Sequence, residues 1–120
     1  MLIQDFYKHI STNTVAENQY EVTVHLNPNS AVYAGHFPDQ PIAPGVVLTQ
    51  MVKEISNDIL GKSWILREAS QIKFLAMVDP NKTSQLTLDL VLQPEENSCK
   101  IKCVAKDAET SYFKLIGTLS

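Results

Sequence analysis

Alternating apolar and polar residues fill much of the second half of the chain, and they constrain its fold more than any other feature. Residues two apart on a strand share one face of a sheet, so this alternation predicts half-buried β-strands. The connections between the late segments are short and polar, which favours antiparallel pairing of successive strands. An early segment, residues 2–10, is compatible with either a short helix or a first strand. The alternating segments are residues 20–26, 71–78, 86–92, 99–105 and 112–119.

A helix is predicted between the first of these segments and the others. Pro44 suits the first helical position, where a missing N–H leaves no hydrogen bond unmade, and Gly61 suits the C-cap. No charged residue lies between Ile42 and Val52, so the first half of the helix is predicted to be more deeply buried than the second. At about 100° per residue, one face carries Val47, Leu48, Met51, Val52, Ile55 and Ile59, and the other carries Gln50, Lys53, Glu54 and Asn57.

This order of elements predicts an α+β fold in which a curved antiparallel sheet wraps around one long helix. The 120 residues are expected to form a single domain, 1–120, since their composition is that of an ordinary globular protein. Cys99 and Cys103 are four residues apart, about 13 Å along a strand, so we expect two core side chains rather than a disulfide.

Charge and hydropathy argue against several classes of partner. The net charge is −3 and the lysines are scattered, which is unlike a nucleic-acid surface. No apolar run approaches the roughly 20 residues of a membrane span, and the start MLIQDFYKHI lacks a signal-peptide pattern. Neither His9 nor His25 has a cluster of metal-ligating residues nearby. We therefore expect no nucleic-acid partner, no membrane partner, no metal and a cytoplasmic location.

Residues 35–50, GHFPDQPIAPGVVLTQ, combine a histidine with residues that stiffen a loop. Three prolines restrict the backbone up to the start of the helix, so the loop fixes His36 in space. At the helix N-terminus the N–H groups of Gly45 and Val46 can hold a carbonyl oxygen or an oxyanion. A fixed imidazole beside such donors suits the removal of a proton next to a carbonyl.

The same residues resemble the signature of the 3-hydroxyacyl-acyl-carrier-protein dehydratases, which are members of the hot-dog fold. The family pattern is roughly Gly-His-Phe-Pro-x-x-Pro-(apolar)-x-Pro-Gly-Val-(apolar)-x-x-Glu. The resemblance is strong over about residues 31–54, and elsewhere only the order of elements agrees. Nine positions match in register, namely Gly35, His36, Phe37, Pro38, Pro41, Ile42, Pro44, Gly45 and Val46.

The resemblance implies a mechanism in which a 3-hydroxyacyl thioester lies in a tunnel. The N–H of Gly45 would polarise its carbonyl, and His36 would take the α-proton. A carboxylic acid from the helix, contributed across a dimer interface, would assist departure of the hydroxyl as water. The resemblance also implies acyl carrier protein as the bearer of the substrate, a homodimer or dimer-based hexamer, and no cofactor. Further candidate substrate contacts are Phe37, Pro44, Val46 and Tyr33, although Tyr33 can equally pack on the loop.

The chain departs from the family pattern at Gln50, where the family carries a glutamate or an aspartate. An amide has no titratable proton near neutral pH, so Gln50 can orient a hydroxyl or a water but cannot act as a general acid. Glu54 lies one turn later, about 6 Å along the same face, and is a candidate for a displaced catalytic carboxylate. A solvated surface glutamate is the alternative interpretation of Glu54.

Three functions follow from these residues. The first is a dehydratase with His36 as base, Gly45 as oxyanion donor, and Gln50 or Glu54 on the hydroxyl. The second is a non-catalytic subunit that binds an acyl carrier or completes the pocket of another hot-dog protein in a heterodimer, as the missing acid suggests. The third is a hot-dog thioesterase in which Gln50 positions water.

Overall fold

The structure, a computed structural model, describes residues 5–35 and 41–120. Within these residues the strands form one sheet in the order β1-β2-β4-β5-β6-β3, and all neighbours are antiparallel. This is the α+β arrangement that the sequence predicts. The elements are β1 (Tyr7–Ala16), β2 (Gln19–Leu26), a 3-10 turn (Ala31–Gly35), α1 (Gly45–Leu60), β3 (Leu66–Phe74), β4 (Gln85–Pro94), β5 (Cys99–Lys106) and β6 (Ser111–Leu119).

The ambiguous N-terminal segment enters a strand, since β1 begins at Tyr7 and forms a hairpin with β2. The hairpin turns at Asn18, whose φ of 61° lies in the left-handed region that asparagine tolerates better than most residues. The Asn18 carbonyl accepts a hydrogen bond of 2.9 Å from the N–H of Leu92, which ties the turn to β4. Most of β1 is exposed, so it carries no apolar alternation from which the sequence could predict it.

The apolar face of α1 packs against the inner face of the sheet. Five of the six apolar positions predicted for this face are buried, and Ile59 is partly buried. On the sheet side, every second residue of β4 and β5 is buried, as the alternation predicts. The core residues from these two strands are Leu86, Leu88, Leu90, Leu92, Cys99, Ile101, Cys103 and Ala105.

Only the N-terminal end of α1 differs from the prediction. Pro44 has φ −65° and ψ 141°, so it is the N-cap residue, and the first helical residue is Gly45. Gly61 is the C-cap in the left-handed conformation, with φ 66° and ψ 37°, as predicted. No helix among the described residues is long and apolar enough to cross a membrane.

The strand predicted over 71–78 is displaced, because β3 covers Leu66–Phe74. Ile72 and Phe74, which the alternation places on one face with Val78, are 40% and 57% exposed, and Val78 is buried outside the strand. Strand β3 is an edge of the sheet and its pairing with β6 shifts register twice. Alternation reports that one face of a strand is apolar, but it does not report whether that face meets the chain's own core.

Both cysteines are free and fully buried, as predicted. Burial raises the pKa of the Cys103 thiol from 9.0 to about 12, and burial is also the largest cause of the raised pKa of Cys99. A thiol with a raised pKa in the folded state favours folding only while it stays protonated, so the free energy of unfolding falls as pH rises from about 9 towards 12.

We expect neither thiol to react with iodoacetamide in the native protein near neutral pH, and both to react after denaturation, because the folded sheet excludes the reagent. Intact-mass spectrometry would count the added groups. Rapid labelling of the native chain would contradict the burial of these side chains.

Candidate functional site

The predicted site combines His36 with the start of α1. His36 and Phe37 lie outside the described residues, but the segments on both sides of the loop are described. Before the loop, the N–H of Ala31 donates to the Asp5 carboxylate at 3.0 Å. After the loop, the N–H of Ala43 donates to the carbonyl of Val78 at 2.8 Å. Contacts remote in sequence therefore hold both ends of the segment that carries His36.

The helix start presents backbone donors, as the sequence predicts. The Pro44 carbonyl accepts hydrogen bonds from the N–H groups of Val47 and Leu48, at 3.0 and 3.1 Å. Gly45 and Val46 precede these donors, so their N–H groups have no acceptor within the helix. The partial positive charge of the helix N-terminus adds to their ability to bind an oxygen that carries developing negative charge. The Val46 side chain is 69% exposed.

An aromatic ring covers Gly45. A Cβ at this position would overlap the Cζ and Cε atoms of Phe74, so a glycine is needed here unless that ring moves. The ring of Phe74 also packs on Phe113, with a centroid distance of 5.3 Å. Sequence reasoning missed Phe74 as a site residue because the alternation only placed the ring on one strand face with Val78.

An apolar cleft of about 400 Å³ begins at this helix start. It can hold a hydrocarbon chain beside the donors of the first helical turn, since the side chains that line it are apolar. The lining residues are Ile42, Ala43, Gly45, Leu48 and 74–78.

Tyr33 is a core side chain rather than an exposed one. It is 5% exposed, and its ring lies 6.0 Å from that of Phe6. Burial, and next the charge of Asp79, raise the pKa of Tyr33 to about 12. Its hydroxyl has no hydrogen-bond partner among the described residues. The contact with Phe6 places the ring in the core, and the two alternatives left open by the sequence, a substrate contact and packing on the loop, both stay predictions.

Gln50 and Glu54 contact each other on the side of α1 that faces away from the Gly45 cleft. The Gln50 Nε2 donates to Glu54 Oε2 at 3.2 Å, and the hydroxyl of Tyr7 donates to Glu54 Oε1 at 3.1 Å. Burial, and next the charge of Glu54, raise the pKa of Tyr7 well above its ordinary value. The three side chains line one cleft of about 500 Å³. Glu54 is thus held by hydrogen bonds from Gln50 and Tyr7 and is not a freely solvated glutamate. Nothing in the sequence pointed to Tyr7 as a neighbour of this pair.

The cleft at Gly45 and the cleft at Gln50 share no lining residue among those described. The reason is helical geometry, because five residues at about 100° each turn Gln50 roughly 140° away from Gly45. One chain therefore does not bring its own Gln50 beside its own helix start. Among residues 5–35 and 41–120, no group of three His, Cys, Asp or Glu side chains is arranged to hold a metal ion.

Comparison with known proteins gives the family. A family model described as ApeI-like, ApeI dehydratase, matches residues 12–114. The chain belongs to the ApeI-like dehydratase family. This match covers both the helix start and the Gln50–Glu54 pair, and it agrees with the resemblance carried by the motif.

Curated relatives in this comparison are named as 3-hydroxyacyl-acyl-carrier-protein dehydratases. FabZ of Lactobacillus helveticus is 28% identical over 91 residues, which cover 70% of this chain and 61% of that protein. FabZ of Wolbachia pipientis wMel is 32% identical over 93 residues, which cover 68% of this chain and 61% of that protein. The chain thus spans 61% of the length of these two relatives.

Solved structures share the fold. A chain of "The Dehydratase Heterocomplex ApeI:P from Xenorhabdus doucetiae" superimposes with a TM-score of 0.74 at 20% identity, covering 93% of this chain and 96% of that one. An uncharacterized protein from Erwinia carotovora subsp. atroseptica gives a TM-score of 0.65 at 22% identity, covering 94% and 90%. The predicted hot-dog fold is confirmed.

The contact between Gly45 and Phe74 gives a stability prediction. We expect Gly45→Ala to lower the free energy of unfolding by about 0.5–1.5 kcal/mol, since the new methyl must push the far end of the Phe74 ring out of its preferred position. In a Phe74→Ala background the same substitution should change it by less than about 0.5 kcal/mol. Urea denaturation of the four variants measures the coupling, with Val46→Ala as a control in the same helical turn. Equal losses in both backgrounds would show that Phe74 does not constrain residue 45.

Proposed function

We propose that this chain is a hot-dog dehydratase that eliminates water from a 3-hydroxyacyl thioester of acyl carrier protein and yields the 2-enoyl thioester. The observation that carries the proposal is the nine-position motif, which leads into a helix start whose donors open onto an apolar cleft. Membership of the ApeI-like dehydratase family supports it, as do relatives named for this reaction.

The proposed chemistry begins with polarisation of the thioester carbonyl by the N–H of Gly45. Polarisation acidifies the α-carbon, and the imidazole of His36 takes the α-proton. The electron pair left on the α-carbon forms the double bond as the C–O bond at the β-carbon breaks. The imidazolium at His36 returns its proton to the departing hydroxyl, so one water leaves and the proton count balances. In this scheme Gln50 orients the hydroxyl, and no second acid is required.

We infer that two chains build the complete site, because Gln50 lies on the far side of the helix from the Gly45 cleft of the same chain. Exposed apolar side chains along and after the edge strand β3 support a second chain at this edge. Three of them, Phe74, Leu75 and Met77, line the cleft at Gly45, and Val46 is also exposed. A homodimer is the simplest form of this assembly. The exposed apolar residues are Ile72, Phe74, Leu75 and Met77.

A pocket-completing subunit of a heteromeric dehydratase is the second candidate function. The specific observation in its favour is Gln50, which replaces the acidic residue of the family pattern. A second support is the similar fold of a chain from a complex described as a dehydratase heterocomplex. In this form, a different hot-dog chain would supply the residues that face Gln50 or Gly45.

Intact-mass spectrometry of a 3-hydroxyacyl acyl carrier protein incubated with the chain tests the main proposal. We expect the loss of one water, and at least a hundredfold slower loss with His36→Ala, because a positioned general base contributes about 10²–10⁴-fold. His25→Ala is the matched control, since His25 is exposed on β2. Gln50→Glu should be neutral or activating.

Three results would contradict this proposal. Release of the free carrier thiol without an enoyl product would favour the thioesterase. An unchanged mass for the chain alone, with elimination only after a second hot-dog chain is added, would favour the pocket-completing subunit. Full activity of His36→Ala would show that His36 is not the base.

Light scattering after gel filtration tests the assembly. We expect a dimer, and we expect Met77→Glu to shift it towards monomer and to slow elimination, because a charge would be buried at the proposed interface. Val15→Glu is a matched control. Val15 is 60% exposed and Met77 is 72% exposed, but Val15 lies on β1, the opposite edge strand. An active monomer would overturn the two-chain site.

A further inference from the structure

Three consecutive residues that lead into β1, Asp5–Tyr7, contact both the chain segment before His36 and the polar face of α1; we refer to them as the N-terminal anchor. The Asp5 carboxylate accepts hydrogen bonds from the hydroxyl of Ser30 at 3.2 Å and from the N–H of Ala31 at 3.0 Å. These two residues enter the 3-10 turn that precedes His36. Two residues after Asp5, Tyr7 contacts Glu54 on the helix.

The anchor is itself firmly held. Phe6 is fully buried, and its carbonyl accepts a hydrogen bond from the N–H of Asn27 at 2.9 Å. The side-chain amide of Asn27 donates to the carbonyl of Asp5 at 2.8 Å. Since Phe6 cannot leave the core without loss of this burial, the backbone of Tyr7 has a fixed position from which its side chain reaches the helix.

The hydroxyl of Tyr7 acts as a donor to Glu54 throughout the pH range in which proteins work. Its proton is retained because burial, and next the negative charge of Glu54, raise the pKa of Tyr7. Lys53 and Lys62 line the same cleft, yet neither forms an ion pair with Glu54 in the described part of the chain. Glu54 therefore takes its contacts from a hydroxyl and an amide rather than from a surface lysine.

The contact with Glu54 constrains the orientation of the Gln50 amide. A carboxylate accepts hydrogen bonds and does not donate them, so the NH₂ side of the Gln50 amide must face Glu54. The amide group is planar, and its oxygen consequently points away from Glu54. Both oxygens of Glu54 accept a hydrogen bond within the chain, which suits it to hold Gln50 rather than to protonate a substrate.

We propose that Tyr7 is a positioning residue for the dehydration: by holding Glu54, it sets the direction in which the carbonyl oxygen of Gln50 accepts a hydrogen bond from the substrate's 3-hydroxyl. This inference rests on the proposed function and extends it to a residue outside the motif. Glu54 is then the connecting residue of a Tyr7–Glu54–Gln50 chain of hydrogen bonds, and it is not a displaced catalytic acid.

Steady-state kinetics of Tyr7→Phe tests the kinetic part of the proposal, since this change removes one hydroxyl and keeps the ring. We expect kcat to fall about tenfold with KM changed less than about twofold, because a loss of orientation affects the transition state more than binding. Tyr20→Phe is the matched control, as Tyr20 is partly buried on β2 and packs against the core. In a Gln50→Ala background, Tyr7→Phe should have no further effect.

A second measurement does not depend on activity. In ¹⁵N-labelled protein, the side-chain NH₂ resonances of Gln50, assigned by their disappearance in Gln50→Ala, should shift in Tyr7→Phe and stay in place in Tyr20→Phe. A kcat loss that persists in the Gln50→Ala background, or unmoved Gln50 resonances, would overturn the positioning role. If the wild-type chain eliminates no water, the proposed function fails, and the resonances alone then decide whether Tyr7 orients Gln50.

Discussion

The burial of the apolar face of α1 against the sheet is the interaction on which the rest of the structure depends. Met51, Val52 and Ile55 are fully buried, and each such side chain contributes about 1.5–3 kcal/mol relative to an exposed one. Ser56, buried beside them, is satisfied by a 2.7 Å hydrogen bond to the carbonyl of Val52. With the helix fixed in this way, its first turn and its polar face both have fixed places, and these carry the described candidate site residues.

The same helix divides the site into two parts. Its first turn opens onto an apolar cleft beneath Phe74, and its polar face carries the Gln50–Glu54 pair in a second cleft. A substrate that needs an oxyanion donor and a group on its hydroxyl needs both parts, which one chain presents in different directions. The two-chain site proposed above would account for both the exposed apolar residues near the β3 edge and the separation of the two clefts.

The replacement of an acid by Gln50 becomes chemically coherent once its neighbours are considered. The hydrogen bond from the Gln50 amide to Glu54 constrains which way that amide faces, because a carboxylate only accepts hydrogen bonds. The sequence placed Gln50 and Glu54 on one helical face by their spacing alone. It could not bring in Tyr7, which lies 47 positions from Glu54 and meets it only in the folded chain.

The sequence by itself determined what depends on local periodicity and on a contiguous motif. The alternation of β4 and β5, the apolar face of α1, its C-cap at Gly61 and the donors at Gly45 were all predicted, because each needs residues only a few positions apart. The tertiary structure decided the edge position of β3, the exposure of Phe74 and the hydrogen bond from Tyr7 to Glu54. Periodicity shows which side chains share a face, but what that face meets depends on pairing between distant segments.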